Sequence, residues 1–189
     1  MTEPSKKIQT ADALVLVDVQ RDFCPGGLLP IDKGDQIIAV LNEWIEMALD
    51  KGIPIYASRD WHPRQHISFR DQGGKWPPHC VQDSDGAQFH PDLKLPAEVV
   101  KITKGVRFDQ DQNSVFDQTG FAEVLRRNDV KRLWVGGLAL DVCVLASVLD
   151  ALKFNFVVMV LKEATRPVNA ESGETAISKM KAAGAKIVV

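Results

Sequence analysis

The stretch ALVLVDVQRDF, residues 13–23, joins five consecutive apolar residues to a polar segment that begins with Asp18. An apolar run without alternation is typical of a strand that is buried on both faces of a parallel sheet. In open α/β sheets, ligands bind outside the carboxyl ends of the strands. The stretch therefore predicts a central parallel strand, and it predicts that functional side chains directly follow such strands.

Similar apolar runs recur along the chain and alternate with segments of helical spacing. Further strands are predicted at Ile53–Ala57, Glu98–Ile102, Arg132–Val135, Phe156–Leu161 and Lys186–Val189. Helices are predicted from an N-cap at Asp35 to Lys51-Gly52, and at Phe121–Arg127, Val142–Leu152 and Ala170–Ala183. This alternation indicates an α/β fold, a three-layer sandwich in which helices flank a central, mostly parallel sheet of about six strands.

Composition limits the classes of function. The 189 residues suit one domain, 1–189, with residues 1–10 as a poorly ordered tail. The net charge is −2 and no basic block occurs, so neither nucleic acid nor an anionic membrane is indicated as a partner. No apolar run has the length of a membrane helix or a secretory signal. With three cysteines and no export signal, we predict reduced thiols and an intracellular, cytoplasmic location.

Cys143 follows the fourth predicted strand across a turn at Gly136–Asp141, in the first turn of a predicted helix. We assign Asp141 as the N-cap of that helix. The positive end of the helix dipole favours a thiolate, which would make Cys143 a nucleophile. The turn's N–H groups could bind a developing oxyanion. A lone cysteine is more commonly a small buried core residue, and that alternative stays open.

Asp18 and Lys104 follow two other predicted strands and would meet Cys143 at the same edge of the sheet. Asp18 could act as a general base towards the thiol and as a general acid towards the leaving amine. Lys104 beside it would keep the carboxylate ionised and stabilise negative charge. Considered singly, Asp18 could instead cap a loop and Lys104 could be a solvated surface residue.

The segment from Ser58 to about Pro96 shows little periodicity and contains a candidate metal site. Asp60 and His62 lie two residues apart in SRDWHP, and His66 and His79 follow. Histidines with a carboxylate suit Zn²⁺, Fe²⁺ or Mn²⁺. Cys80 is the rival of His79 as a ligand, and loop histidines bonded to backbone are the ordinary alternative. Phe23 and Trp76 could sandwich a flat ring or could belong to the core.

These motifs together resemble those of the nicotinamidases (pyrazinamidases), within the isochorismatase-like cysteine hydrolases. The matching segments, in the family's order, are DVQRDF (Asp18–Phe23), SRDWHPRQHISF (Ser58–Phe69), KWPPHC (Lys75–Cys80), Lys104-Gly105 and GLALDVCV (Gly137–Val144). Residues 106–116 differ in type from the family, except that Ser114-Val115-Phe116 is similar. Pocket residues in that stretch therefore cannot be transferred from the family.

The resemblance implies hydrolysis of nicotinamide to nicotinate and ammonia in NAD salvage, with pyrazinamide also accepted. It implies a triad of Asp18, Lys104 and Cys143, and an oxyanion hole of the Ala139 and Cys143 N–H groups beside a cis Leu138–Ala139 peptide. Phe23 and Trp76 would hold the ring, and one divalent metal, zinc first, would bind the pyridine nitrogen. The implied metal ligands are Asp60, His62 and His79, with His66 a fourth ligand in some relatives and Ser68 supporting the site.

Two alternatives stay open at this point. A carbamoyl or ureido hydrolase of the same superfamily would share the triad without needing the metal. A non-catalytic metal-binding domain would use the histidines but leave Asp18, Lys104 and Cys143 without a role. An isochorismatase proper is disfavoured, because that branch lacks the cysteine nucleophile. The sequence leaves a homo-oligomer open.

Overall fold

The computed structural model of the protein describes residues 8–189, and within them six strands form one sheet. The strands are β1 (Asp12–Val17), β2 (Ile55–Asp60), β3 (Val100–Lys104), β4 (Arg132–Leu138), β5 (Val157–Arg166) and β6 (Lys186–Val188). Their spatial order is β3-β2-β1-β4-β5-β6, and each neighbouring pair runs parallel. The α/β architecture and the number of strands predicted from the sequence are confirmed.

Four α-helices cover the two faces of this sheet: α1 (Ile37–Lys51), α2 (Phe121–Arg127), α3 (Leu145–Lys153) and α4 (Ala170–Ala182). Successive side chains of β1 point to opposite faces of the sheet, and each face therefore has its own hydrophobic core. Leu14 and Leu16 pack in one core with α1, whereas Ala13, Val15 and Val17 pack in a second core with the other three helices. The apolar run at residues 13–17 is therefore buried on both faces, as the sequence indicated.

The ends of α1 agree only partly with the prediction. Gly52 adopts the left-handed conformation (φ 63°) and its N–H bonds back to Ala48 and Leu49, so it closes the helix as expected. The N-cap prediction for Asp35 is wrong. Asp35 lies in a 3₁₀ turn (Gly34–Gln36) that precedes α1, and Gln36 occupies the cap position without a side-chain hydrogen bond. The extra turn displaces the cap by one residue.

The predicted turn at Gly136–Asp141 is wrong, because β4 continues through both glycines to Leu138. Gly137 has a φ of 125°, and a Cβ there would collide with the backbone of Val17 on β1. The glycines therefore permit close strand packing rather than a turn. A cis peptide joins Leu138 to Ala139, and a π-helical turn, Leu140–Val144, leads into α3.

The long segment between β2 and β3 is ordered by short pairings rather than by long elements. Isolated bridges join His62 to Val81 and Phe69 to Trp76. Asp22 accepts a hydrogen bond from the Cys80 N–H at 2.7 Å, which ties this segment to the loop after β1. Such non-local contacts have no periodic signature, which explains why the sequence shows none there.

Of the tail predicted at residues 1–10, residues 1–7 lie outside the described residues. Ile8 is buried in the core on the α1 side of the sheet, and the Gln9 N–H donates to Asp12 Oδ2 at 2.9 Å. None of the helices within residues 8–189 has both the length and the apolar character needed to cross a membrane.

The hydrogen bonds of Asp12, at the amino-terminal ends of β1 and β4, can be tested by substitution. Its buried carboxylate accepts hydrogen bonds from Arg132 Nε (2.8 Å), Arg132 Nη2 (2.6 Å) and Trp134 Nε1 (2.8 Å). We expect Asp12→Ala to lower the free energy of unfolding by about 2–4 kcal/mol, because a buried indole N–H and a guanidinium lose their acceptor. Urea unfolding measures this loss.

The matched control is Asp50→Ala, which removes an exposed carboxylate beside Lys51. Its expected change is within about 0.5 kcal/mol. Equal stability of the two variants would contradict a structural role for the Asp12 carboxylate.

Candidate active site

The carboxyl ends of four strands bring Asp18, Asp60, Lys104 and Cys143 together. Asp60 and Lys104 end β2 and β3 and are paired in the register of the two strands. Asp18 directly follows β1, and Cys143 lies in the turn after β4. All four residues are buried. The sequence prediction that these residues share one edge of the sheet therefore holds geometrically.

The Lys104 ammonium is the centre of this cluster. Its Nζ lies 2.6 Å from Asp60 Oδ1, 2.8 Å from Asp18 Oδ2 and 3.5 Å from Cys143 Sγ, and the Gln112 carbonyl completes its surroundings at 3.4 Å. Burial alone would lower the pKa of Lys104, but the two carboxylates raise it well above its ordinary value. Lys104 is therefore a fixed cation rather than the solvated lysine of the ordinary alternative.

Asp18 is held in place from two sides. Ser58 Oγ donates to its Oδ1 at 2.6 Å, and Lys104 faces its Oδ2. Its backbone has a φ of 48°, which turns the chain out of the strand. Burial raises the pKa of Asp18, with Lys104 opposing and Asp60 adding to the rise. A carboxylate with a raised pKa is a better proton acceptor than an ordinary aspartate.

Cys143 differs from the expectation of a preformed thiolate. It lies within the π-helical turn, and Val144 rather than Asp141 is the N-cap of α3. Burial raises the pKa of its thiol well above the ordinary value, although Lys104 acts in the opposite direction. The raised pKa favours the thiol over the thiolate, so forming the nucleophile calls for a base. Asp18 is close enough, since its carboxylate, that of Asp60 and Cys143 Sγ all lie within 4.8 Å of one another.

A second group of donors adjoins the first. Asp60, His62 and His79 are all buried, and one donor atom of each lies within 4.8 Å of the other two. One carboxylate and two imidazoles suit a divalent transition metal and leave positions for water or substrate. Burial opposes a positive charge on His62, yet Asp60 outweighs it and raises the pKa of His62. The Asp60 carboxylate thus favours a positive charge at this site, and the three donor side chains fit a divalent metal.

Backbone carbonyls orient the two imidazoles. His62 Nδ1 donates to the Gly105 carbonyl at 2.9 Å, and His79 Nδ1 donates to the Pro77 carbonyl at 2.8 Å. Each bond leaves the Nε2 lone pair for a metal, as carbonyl partners do around metal-binding histidines.

His66 is buried but lies outside the group of three donors. Its ring lies on that of His62, with centroids 4.0 Å apart, and its Nδ1 contacts Ser68 Oγ at 2.7 Å. Burial and the neighbouring His62 lower the pKa of His66 to about 4, so the ring is neutral at neutral pH. Ser68 thus supports His66 directly. Cys80, the rival ligand, also lies outside the group and has a thiol whose pKa burial raises well above its ordinary value.

Asp18, Asp60 and Cys143 form another group of potential metal donors. Lys104 Nζ already lies within 2.8 Å of both carboxylates. A metal ion would have to displace that ammonium, so Lys104 supplies the positive charge there instead. Asp60 is the side chain common to the two groups: Oδ1 faces Lys104, and Oδ2 lies 3.7 Å from His62 Nε2.

One cavity opens onto both groups. The predicted ring-binding residues Phe23 and Trp76 line it, together with Ala139 and Cys143 of the predicted oxyanion hole. The cavity is also lined by side chains that were not predicted from the sequence. Most of them are apolar, namely Leu29, Pro30, Ile31, Val142 and Val168, and two are polar, Asp111 and Asn113. Asp111 is exposed to solvent and also lines the cavity.

Two further residues of the quoted motifs position the site without having been assigned a role. The Gln20 side chain accepts from the Asp60 N–H and donates to its carbonyl, both at 2.7 Å. Ser58 holds Asp18. The only sequence signal for a role of Gln20 and Ser58 was their location inside the motifs DVQRDF and SRDWHP. Their partners lie 40 residues away, and sequence spacing gives no sign of such pairs.

The chain belongs to the isochorismatase family, since the model of the isochorismatase domain matches residues 12–188. Among curated proteins, it is 38% identical to the nicotinamidase of Escherichia coli K12, over 93% of each chain.

Two solved structures share the fold closely. The pyrazinamidase of Pyrococcus horikoshii in complex with zinc is 47% identical, with a TM-score of 0.92 over 94% of this chain and 98% of that one. PnC1 from L. infantum in complex with nicotinate is 35% identical, with a TM-score of 0.88 over 95% of this chain and 92% of that one. The sequence resemblance to the nicotinamidases is therefore confirmed.

Gly105 allows a test of the metal site. Its φ is 67°, and a Cβ there would lie 2.5 Å from His62 Cε1 and 2.6 Å from His62 Nδ1. We expect Gly105→Ala to displace the imidazole and to weaken divalent metal binding by about 10- to 100-fold. Competition with a chelator measures the affinity.

Gly73→Ala is the matched control. Gly73 also has a positive φ, 85°, but a Cβ there would meet no atom within 4 Å. Both variants bear the backbone cost of about 1 kcal/mol, and only Gly105→Ala should lose metal affinity. Equal metal affinity in the two variants would show that the Gly105–His62 contact does not matter.

Proposed function

We propose that this protein is a nicotinamidase, which hydrolyses nicotinamide to nicotinate and ammonia in NAD salvage. The observation that carries the proposal is one cavity lined both by Cys143, which contacts Lys104, and by the Asp60–His62–His79 donor set. A carbamoyl or ureido hydrolase of the superfamily has no use for the second group. The similarity to proteins named nicotinamidase and pyrazinamidase supports the same reaction, with pyrazinamide as a second substrate.

The substrate would lie with its flat ring between Phe23 and Trp76 and its carboxamide at Cys143. A bound divalent ion would supply a Lewis-acid contact to the pyridine nitrogen. We propose zinc as that ion, because the P. horikoshii relative contains it, while the donor set also suits Fe²⁺ and Mn²⁺. Asp60, His62 and His79 would hold the ion. His66 would support the site through the contact of its ring with that of His62.

Asp18 would begin the reaction by accepting the thiol proton of Cys143. The sulfur then attacks the carboxamide carbon, and the N–H groups of Ala139 and Cys143 bind the developing oxyanion. Lys104 stays charged and limits the cost of forming a thiolate beside two aspartates. Because burial raises the pKa of the Cys143 thiol, this proton transfer to Asp18 is the step that generates the nucleophile.

Collapse of the tetrahedral intermediate breaks the carbon–nitrogen bond, and Asp18 returns the proton so that ammonia leaves. A thioester on Cys143 remains. Asp18 then takes a proton from a water molecule that attacks the thioester, and passes this proton to the departing sulfur, so that the thiol is restored. Nicotinate leaves after its remaining acid proton passes to solvent. Covalent catalysis divides one difficult hydrolysis into two easier steps, both served by the same carboxylate.

Three features stay predictions: the single domain over residues 1–189, the intracellular location, and the option of a homo-oligomer. They do not affect the chemistry, because every group used above comes from one chain.

The first test of this function is ammonia release from nicotinamide by the purified protein and by Cys143→Ala. We expect that variant to lose at least about 10³-fold in kcat, because it removes the thiol that would form the thioester, while its metal content stays unchanged. The control is Cys24→Ala. Cys24 is a core residue outside the cavity, and burial raises the pKa of its thiol to about 11. Appreciable activity in Cys143→Ala would refute the nucleophile assignment.

A second test addresses the metal ligands. His79→Ala should lower both metal stoichiometry and substrate affinity, because it removes one of three converging donors. His90→Ala is the control, since His90 lies outside the donor group, 3.9 Å from Asp92. Metal analysis and the KM for nicotinamide provide the readouts. Unchanged stoichiometry in His79→Ala would reassign the ligand to Cys80 or His66.

A further inference from the structure

Asp141 has no part in the chemistry proposed above, yet it lies two residues before the nucleophile and makes two long-range hydrogen bonds. Its Oδ1 accepts from the Val168 N–H at 2.8 Å. Its Oδ2 accepts from Ser172 Oγ on α4. One carboxylate therefore joins the π-helical turn that carries Cys143 to the loop between β5 and α4, 27 residues further along the chain, and to α4 itself, 31 residues further along.

The loop that Asp141 holds forms part of the substrate cavity. Val168 lines the cavity together with Ala139, Val142 and Cys143, although 42% of Val168 is exposed to solvent. The hydrogen bond at its backbone N–H ties this wall directly to the turn of the nucleophile.

The segment that donates hydrogen bonds to Asp141 is itself restrained by local contacts. The Asn169 side chain caps α4 by accepting from the Ser172 N–H at 2.9 Å, and Gly173 packs against Pro167 and Leu140. Pro167 restricts the backbone directly before Val168. Asp141 thus connects the turn to a capped helix, and a carboxylate is well suited to this because its hydrogen bonds are charge-assisted.

We infer that Asp141 is a positioning residue, which sets the distance between Cys143 and the Val168 wall of the substrate cavity through Val168 N–H and Ser172 Oγ. The inference rests on the proposed function, since it concerns how the ring is aligned for attack by the thiol. Small misplacements of reacting groups reduce rates by as much as about 100-fold. The Asp141 link would prevent such misplacement without touching the substrate.

Three variants and one control test the inference. Asp141→Ala removes both acceptors. Asp141→Asn keeps an oxygen for the Val168 N–H and can donate from its amide to Ser172 Oγ. Ser172→Ala removes only the second bond. The control, Asp150→Ala, removes a carboxylate from α3 that bonds Lys153 at the surface. Nicotinamide turnover, metal content and melting temperature are measured for each.

We expect Asp141→Ala to lose about 10- to 100-fold in kcat/KM with normal metal content, because the nucleophile and the wall move independently. Asp141→Asn should stay within threefold of the wild type, and Ser172→Ala should lose two- to fivefold. Wild-type kcat/KM in Asp141→Ala would overturn the inference, and so would a folded Asp141→Asn as impaired as the alanine variant. If Asp141→Ala does not fold, Ser172→Ala decides: unchanged kcat/KM in that variant would overturn the inference.

Hydrogen exchange separates this inference from the proposed function. In Asp141→Ala, amide exchange of residues 140–144 and 166–169 should be faster than in Asp150→Ala, whatever the substrate is. A wild-type protein that releases no ammonia from nicotinamide would refute the proposed function, and the exchange rates would still test the link. Unchanged exchange in both segments would overturn the link itself.

Discussion

The buried ammonium of Lys104 is the interaction on which the rest of the site depends. It lies 2.8 Å from Asp18 and 2.6 Å from Asp60; Lys104 and Asp18 are fully buried, and Asp60 is buried except where it lines the cavity. Two carboxylates buried side by side would otherwise be costly, and one of them would take up a proton. With the cation between them, Asp60 remains a carboxylate, while Asp18, whose pKa burial raises, is suited to exchange protons with Cys143.

Asp60 links this cluster to the metal site, because each of its oxygens serves a different cation. Lys104 holds Oδ1, and Oδ2 faces His62. Gln20 fixes the Asp60 backbone on both sides, so the carboxylate has little freedom to turn. The proposed function assigns the two groups different tasks. In that proposal the metal group binds the substrate ring, and the lysine group controls the proton and the nucleophile.

Much of this could be predicted from residues alone. Apolar runs predicted the strands, and polar residues directly after them predicted which side chains meet, since the ends of parallel strands share one edge of the sheet. The errors lie where non-local contacts override local signals. Gly136 and Gly137 suggested a turn, but both lie within β4, where a Cβ at Gly137 would collide with β1 and a Cβ at Gly136 would crowd Leu41 and Ala164. Asp141 suggested a helix cap, yet its partners are on the β5–α4 loop and α4.

The sequence by itself determined the α/β class, the central buried strand and the identity of the groups at the strand ends. Periodicity and residue type are local properties, and each of these features follows from them. Only the tertiary structure decided the raised pKa of Cys143, the dual use of Asp60 and the link from Asp141 to Val168. These depend on burial and on distances between segments tens of residues apart. Such quantities exist only once the chain has folded, because the electrostatic energy of a buried group is set by its neighbours in space.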